Sequence, residues 1–394
     1  MPSPSSNRAI IVYAGLLMAV GAFSIDITLP FFGRLRDSLQ ASDAQAHATV
    51  TLYIFCLGMG QLVFGPVSDR FGRRPTLVAG LSIYVVGAAL ALMSTTIEGL
   101  LAGRALQGLG GAAGPVMGRA MIRDVSTPPE LPKNMALAAA IFALGPILAP
   151  LIGVGIATLG GGWRAVFVAM CLYGVGLALA ALGARETALE RHPDALNPAR
   201  LWANARLVLG NPQSRYFIAL SSVAMIAIVM VVSGAARIFE NEFGVTGFRF
   251  AVLFGMHGFG IIAGQALNHR MITRIGTGAS ALVASVLLCV ALGLLALMAA
   301  LGALGPVSAA LLLALFAVGY LIVFSNATSM ALEPNPRIAG FCASFFGFAT
   351  QAVSAVLGTL IVSLTGHSAL SWSLSLLAVA IAISAGLAAW IRPR

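Results

Sequence analysis

Charged side chains are scarce in this sequence. Asp, Glu, Lys and Arg make up 9% of 394 residues, against roughly 25% in an ordinary soluble domain. So little charge cannot cover a water-facing surface, which excludes a large soluble enzyme and a disordered chain. Lysine is nearly missing, with Lys133 alone among 23 cations. The four cysteines (Cys56, Cys171, Cys289 and Cys342) lie in apolar runs, without a CxxC spacing or a histidine nearby. Neither a disulfide framework nor a metal site is indicated. There is no cluster of His, Cys or acids at ligand spacing, no nucleotide loop and no nucleophile elbow. No cofactor and no enzymatic chemistry are therefore expected. What is plentiful is apolar surface: 59% of residues are hydrophobic, with 44 glycines and a mean hydropathy of +0.95. Glycine is commoner in membrane helices than in soluble ones.

A helix needs about 20 apolar residues to cross a bilayer. Apolar runs fall near 9–32, 46–67, 75–97, 98–122, 134–158 and 163–184, then near 214–238, 248–269, 277–301, 305–330, 337–363 and 368–391. The first is too long for a signal-peptide core and reads as a retained span. The pattern predicts an all-α membrane protein of twelve transmembrane helices in two pseudo-symmetric six-helix bundles. The N-terminal bundle would occupy 1–184, a cytoplasmic linker 185–213 and the C-terminal bundle 214–394. The linker is the one long polar stretch and carries Pro193, Pro198 and Pro212 as punctuation. Trp202 and Leu207 within it suggest a short helix along the membrane surface.

The net charge of +10 could suggest a nucleic-acid partner, but the cations sit singly or in small groups between apolar runs. With the N-terminus inside, seventeen cations fall on the cytoplasmic side, among them Arg119, Arg392 and Arg394; five fall outside and Arg104 lies within a span. That bias places both termini in the cytoplasm. Two sets of six also predict an internal repeat with a binding site between the halves, near the midplane. A trace survives: residues 65–74 join spans 2 and 3, and residues 268–276, basic and glycine-bearing, join spans 8 and 9.

An ionisable group at the centre of a span costs about 2.5–3.5 kcal/mol on insertion scales. Asp26 in span 1 and Arg104 in span 4 both fall about 9 Å from the outer end of their helices at 1.5 Å per residue. An acid and a base at one level are expected to pair. They could form a fixed ion pair that only holds helices together, although apolar residues often serve stability as well. They could equally couple transport to protons: burial disfavours the carboxylate and a nearby guanidinium favours it, so proton binding would follow conformation. A charge crossing 100 mV gains about 2.3 kcal/mol and one pH unit adds about 1.4 kcal/mol. Together these support a solute gradient of roughly several hundredfold per proton. His257, mid-span 8, is either a neutral imidazole bonded to a carbonyl or a relay. Tyr53, Phe23, Gln351, His257 and Phe348 are candidates to line a substrate cavity, though aromatic residues in spans often only pack. Glu98 and Glu240 fall at outer ends and are expected to be solvated.

The most specific local signal is Gly65-x-x-Ser-Asp69-Arg70-x-Gly72-Arg73-Arg74. Gly65 would let span 2 approach another helix. Asp69 could cap the next helix or face a helix N-terminus. Arg70, Arg73 and Arg74 could latch an inner gate, or simply anchor the topology. This segment resembles the signature loop of the major facilitator superfamily. Arg104-Ala-Leu-Gln-Gly-Leu-Gly110 is similar to that superfamily's span-4 motif, whose arginine is implicated in proton transfer. Leu144-Gly-Pro-Ile-Leu-Ala-Pro-Leu-Ile-Gly153 resembles the span-5 motif of antiporters, with Ala149 and Val154 at two of its glycine positions. Gly145, Pro146, Pro150 and Gly153 would bend that helix and give it a small-residue face. Ser24-Ile-Asp26-Ile-Thr-Leu-Pro30, Thr51-Leu-Tyr53, Gly60-Gln61 and Gly162-Trp-Arg-Ala-Val-Phe167 are similar to the bicyclomycin and chloramphenicol/florfenicol resistance exporters, the Bcr/CflA group of drug:proton antiporters. That likeness covers about residues 20–170 most strongly, with Thr28 where the group usually has tyrosine.

The resemblance implies proton-coupled efflux of small, partly apolar organic molecules, such as antibiotics or metabolites, by a monomer in the bacterial inner membrane. It places the coupling acid at Asp26 and its arginine at Arg104. A proton symporter or facilitator importing a nutrient is the alternative.

Overall fold

The protein is described here from a computed structural model, in which the structure describes residues 4–127, 129–188, 190–365 and 368–391. Arg392 and Arg394, counted in the charge bias, lie outside the described residues. Among those residues the chain forms helices and no strand. Span 1 is Pro4–Asp26, continued by a 3-10 turn Leu29–Phe31 and a short helix Phe32–Ser38. Spans 2 and 3 are Asp43–Phe71 and Arg73–Met93. Span 4 consists of Ile97–Gly111 and Ala113–Val125, span 5 of Leu131–Ala143 and Gly145–Thr158, and span 6 is Trp163–Gly183. The second set is Pro212–Phe243, Gly247–Ile275, Thr277–Ala300, Pro306–Leu332, Ala339–Thr365 and Ala369–Ile391. Between the sets lies the expected short helix, Pro198–Gly210, with Trp202 and Leu207 exposed.

Eleven of these stretches are long and apolar enough to cross a membrane. Span 4 is the twelfth, divided at Ala112. Pro115 explains the division: it has no N–H to give the carbonyl of Gly111 four residues back, and its ring crowds that carbonyl. Pro146 likewise accounts for the break at Leu144 in span 5, where a bend is expected from the sequence. Pro30 acts the same way in span 1. The residue four before it is Asp26, where the helix ends. Helix ends elsewhere follow local chemistry. Ser42 and Gln45 form a capping box at span 2, and Asn211 caps span 7.

The repeat is visible in the backbone. Gly72 and Gly276 stand at matching places between spans 2 and 3 and between spans 8 and 9, with φ of +104° and +80°, a region that favours glycine. Each half has its own apolar core. Span 1 packs on span 4 and span 3 on span 6, as span 7 packs on span 10 and span 9 on span 12. The halves meet where span 2 lies along span 11 and span 5 along span 8.

Candidate functional site

Arg104 is 1% exposed and Asp26 4%, so both ionisable groups lie in the interior of the N-terminal half. Small residues bring span 4 close enough to place the guanidinium: Gly108 abuts the Tyr53 carbonyl and Gly103 packs against Ala91. Arg104 Nη1 donates to the Ser24 carbonyl at 3.2 Å and to Gln107 Oε1 at 2.7 Å. Its Nε donates to the Thr49 carbonyl at 3.3 Å. The guanidinium sits 4.3 Å above the centre of the Tyr53 ring, a cation–π placement.

The expected Asp26–Arg104 ion pair does not form. Among the described residues Asp26 has no hydrogen bond and no ion pair within 4.0 Å. Backbone carbonyls and Gln107 take up Nε and Nη1 of the arginine instead, and its Nη2 is buried without a hydrogen-bond partner among the described residues. A depth counted along a straight helix does not hold at Asp26, because Pro30 stops the helix there. Arg104 instead grips the carbonyl of Ser24, two residues before Asp26. Beyond the break the Ile27 carbonyl lies 2.6 Å from where a Cβ on Gly153 would be, so spans 1 and 5 touch backbone to backbone at this point.

Tyr53 lies beneath Arg104 and is fully buried. Phe23 packs its ring 4.7 Å from Tyr173, while Gly145 faces Ala19, Ala22 and the Phe23 backbone. Gln351 and Phe348 lie on span 11 at the seam between the halves. A Cβ at Gly58 on span 2 would lie 3.1 Å from Gln351 Cβ and 3.3 Å from the Phe348 carbonyl. Gln351 Oε1 is buried without a hydrogen-bond partner among the described residues. His257 stacks between Phe254 and Phe316 at 5.8 and 6.0 Å and reaches the Leu313 backbone. The displacement that carries Gly72 to Gly276 carries Tyr53 to His257, so these two rings are counterparts in the two halves. Among the described residues, a guanidinium lies on the face of the first, Arg104 over Tyr53. Glu98 and Glu240 are exposed, as expected.

The signature loop is tied together by charge. Arg73 pairs with Asp69 at 2.6 Å and with Asp124 at 3.1 Å, and donates to Ser68 Oγ at 2.8 Å. Asp69 does not cap span 3. That role belongs to Glu186, whose carboxylate accepts the backbone N–H groups of Arg73 and Arg74 at 2.9 and 3.1 Å. It also accepts those of Thr187 and Ala188, both at 2.9 Å. Burial pushes the Glu186 carboxyl up, but the four donors outweigh it and hold the group below the usual carboxylate range. His192 N–H donates to the Asp69 carbonyl at 2.8 Å, so the linker is laid across the loop. Arg70 lies over Phe71 at 5.2 Å, and Arg74 donates to the Leu182 carbonyl. Gly65 abuts Ser344 on span 11, the close approach its sequence predicts. Pro150 stays inside its helix.

Arg119 corrects the charge count. It lies within span 4, not in a loop, and donates to Gln61 Oε1 at 3.2 Å. Gln61 in turn packs against Gly347 of span 11. The Gly60-Gln61 step is readable in the sequence; its arginine partner, 58 residues away, is not. Phe316, Tyr320 and Phe324 continue the stack from His257 at 5.6–6.0 Å intervals, and their four-residue spacing is a helical-face signal. At the opposite mouth the halves touch through Arg237 and Asp43 at 3.7 Å, with Asp43 held by Arg36 at 2.9 Å.

The Major Facilitator Superfamily family model matches residues 14–359. The chain belongs to the major facilitator superfamily. Its relatives include a bicyclomycin resistance protein homolog of Haemophilus influenzae, 30% identical over 92% of this chain and 91% of that one. Multidrug resistance protein D of Escherichia coli is 27% identical over 96% and 95%. Among solved structures, the xylose transporter XylE from E. coli in a partially occluded inward-open conformation matches with a TM-score of 0.74. It is 13% identical and covers 98% of this chain and 97% of its own, which supports the superfamily's fold. The protein is therefore a multi-pass membrane transporter of small molecules and not an enzyme.

Proposed function

We propose that this transporter exports small, partly apolar organic molecules in exchange for protons, by alternating access of a site between its halves. One observation carries the reading: Asp26 is a buried carboxyl with no hydrogen bond or ion pair among the described residues, at a proline-made break in span 1, two residues after the carbonyl that Arg104 holds. A carboxyl so placed exchanges a proton with whichever side gains access, and motion of span 1 against spans 4 and 5 alters its surroundings. The names of the relatives, bicyclomycin resistance and multidrug resistance, support the efflux direction. On this reading the moving units are 1–184 and 214–394, joined by 185–213. Both termini face the cytoplasm of a bacterial inner membrane, and the monomer is the working unit. Arg104 shapes the proton site, and Tyr53 supports its guanidinium. Phe23, Phe348, Gln351 and His257 line the path that opens when the seam parts. The signature loop, with Gly65, Asp69, Arg70, Arg73 and Arg74, closes the inner side. Gly145, Pro146, Pro150 and Gly153 give span 5 its bend.

Proteoliposomes with an imposed proton gradient test this, using a compound first identified by susceptibility profiling of expressing cells. The expected result is solute movement opposite to the proton, lost in Asp26→Asn while counterflow exchange without a gradient persists. Solute and proton moving together, or full gradient-driven transport by Asp26→Asn, refutes it.

A further inference from the structure

At the linker end of the N-terminal half, spans 3 and 6 enclose an open furrow of about 520 Å³. Arg74 and Arg191 stand at its rim, and Pro75, Val78, Ala79 and Leu182 form its walls. The basic groups around it are not equivalent. Arg73 is matched by Asp69 and Asp124. Arg74 and Arg191 have no carboxylate within 4.0 Å among the described residues. Glu186, the acid in the furrow, spends its oxygens on four backbone N–H groups. Arg74 is also held in place, since it donates to the Leu182 carbonyl across the furrow. The apolar wall does not stop at the rim. Leu182 and Leu179 on span 6, and Val86 and Leu90 on span 3, are exposed along the outer faces of the same two helices.

We propose that this furrow is a binding site for an anionic phospholipid, its phosphate between Arg74 and Arg191 and its acyl chains along spans 3 and 6. Guanidinium groups suit a phosphate because their forked N–H donors match its oxygens, and basic pockets between spans bind acidic headgroups. A free phosphate would use the two arginines but leave the apolar wall without a role. A zwitterionic lipid would bring its own cation to a rim that already has two unmatched ones. The site adjoins the signature loop through Arg74 and Glu186, so an occupied furrow holds the linker against that loop.

The test uses the full-length protein, delipidated in detergent and titrated with phosphatidylglycerol, phosphatidylethanolamine or phosphatidylcholine, with bound lipid counted by native mass spectrometry. Phosphatidylglycerol is expected to be retained in preference to the other two. Arg191→Gln should weaken its retention about fivefold, and Arg191→Lys should recover most of it. Millimolar inorganic phosphate should not displace it. Equal retention of the three lipids overturns the proposal, as does unchanged retention by Arg191→Gln or displacement by inorganic phosphate. The headgroup comparison on the unaltered protein decides the matter even where a variant does not fold. None of these readouts depends on transport.

Discussion

At the scale of single residues, the decisive fact is how Arg104 is used. Its Nε and Nη1 donate to two carbonyls and one amide, and its flat face rests on Tyr53. Those bonds hold spans 1, 2 and 4 together without placing a carboxylate on the guanidinium. Lysine could not reproduce the arrangement, because it has neither a planar face nor a fork of donors. Arg104→Lys is therefore expected to fold and to lose at least about tenfold in gradient-driven transport, equivalent to about 1.4 kcal/mol. Wild-type rates in that variant would show that the geometry of the guanidinium is irrelevant. Glu186 gives a prediction in pH. Its carboxyl lies lower in the folded protein than in the unfolded chain. Its contribution is thus complete above the ordinary carboxylate range and disappears as pH falls through its own folded value. Glu186→Ala should lower stability by about 0.5–2 kcal/mol, as loss of a helix cap does. The gap between the two melting curves should close in acid. A gap independent of pH from neutrality down to acid would mean that the carboxylate is not the cap.

Helices of the two halves differ in one respect that composition conceals. Prolines interrupt spans 1, 4 and 5, whereas those of spans 7 to 12 stand only at helix starts, as Pro212 and Pro306 do. Broken helices within a membrane are tolerated where they line a cavity or lie against protein, and here the break in span 1 falls at Asp26 itself. Pro30→Ala restores the N–H that can bond the Asp26 carbonyl, and so lets span 1 run on. The variant should be at least as stable as the parent in a thermal melt, yet transport with a gradient should fall about tenfold, an energy of about 1.4 kcal/mol. Unimpaired coupling would separate the acid from the break. This element also shows what was legible in advance. The twelve runs, the bend at Gly145-Pro146 and the glycine between spans 8 and 9 follow from local pattern. The four-residue step from Asp26 to Pro30 was equally local, but a depth calculation along an ideal helix passes over it and pairs the wrong groups. Glu186 on the N–H groups of Arg73 and Arg74, and Arg119 on Gln61, join residues distant in sequence. No window of residues contains such contacts, because packing of whole spans creates them.

In the molecule as a whole, the two halves meet along a seam. Spans 2 and 11 touch along much of their length. Thr51 bonds Thr359, Gly58 meets Gln351 and Phe348, Gln61 meets Gly347, and Gly65 meets Ser344. Contacts made this closely through glycine cannot slide gradually, since each added ångström of separation forfeits much of the dispersion gained. On the alternating-access reading proposed above, the seam would open by rotation of one bundle against the other, about whichever end stays closed. Such motion can be arrested at a chosen depth. A Cβ placed on Gly58 lies 3.1 Å from Gln351 Cβ, slightly inside the usual 3.5–4.5 Å span of a disulfide, so a small shift allows the bond. In a background with Cys56 and Cys342 replaced by serine, Gly58→Cys with Gln351→Cys should cross-link readily under a copper-phenanthroline oxidant. Transport should then fall to the level of empty vesicles and return on reduction. Each single cysteine variant should be insensitive to the oxidant. Undiminished transport by the fully cross-linked protein would mean that the halves need not part at this depth, and substrate would then have to pass elsewhere than between spans 2 and 11.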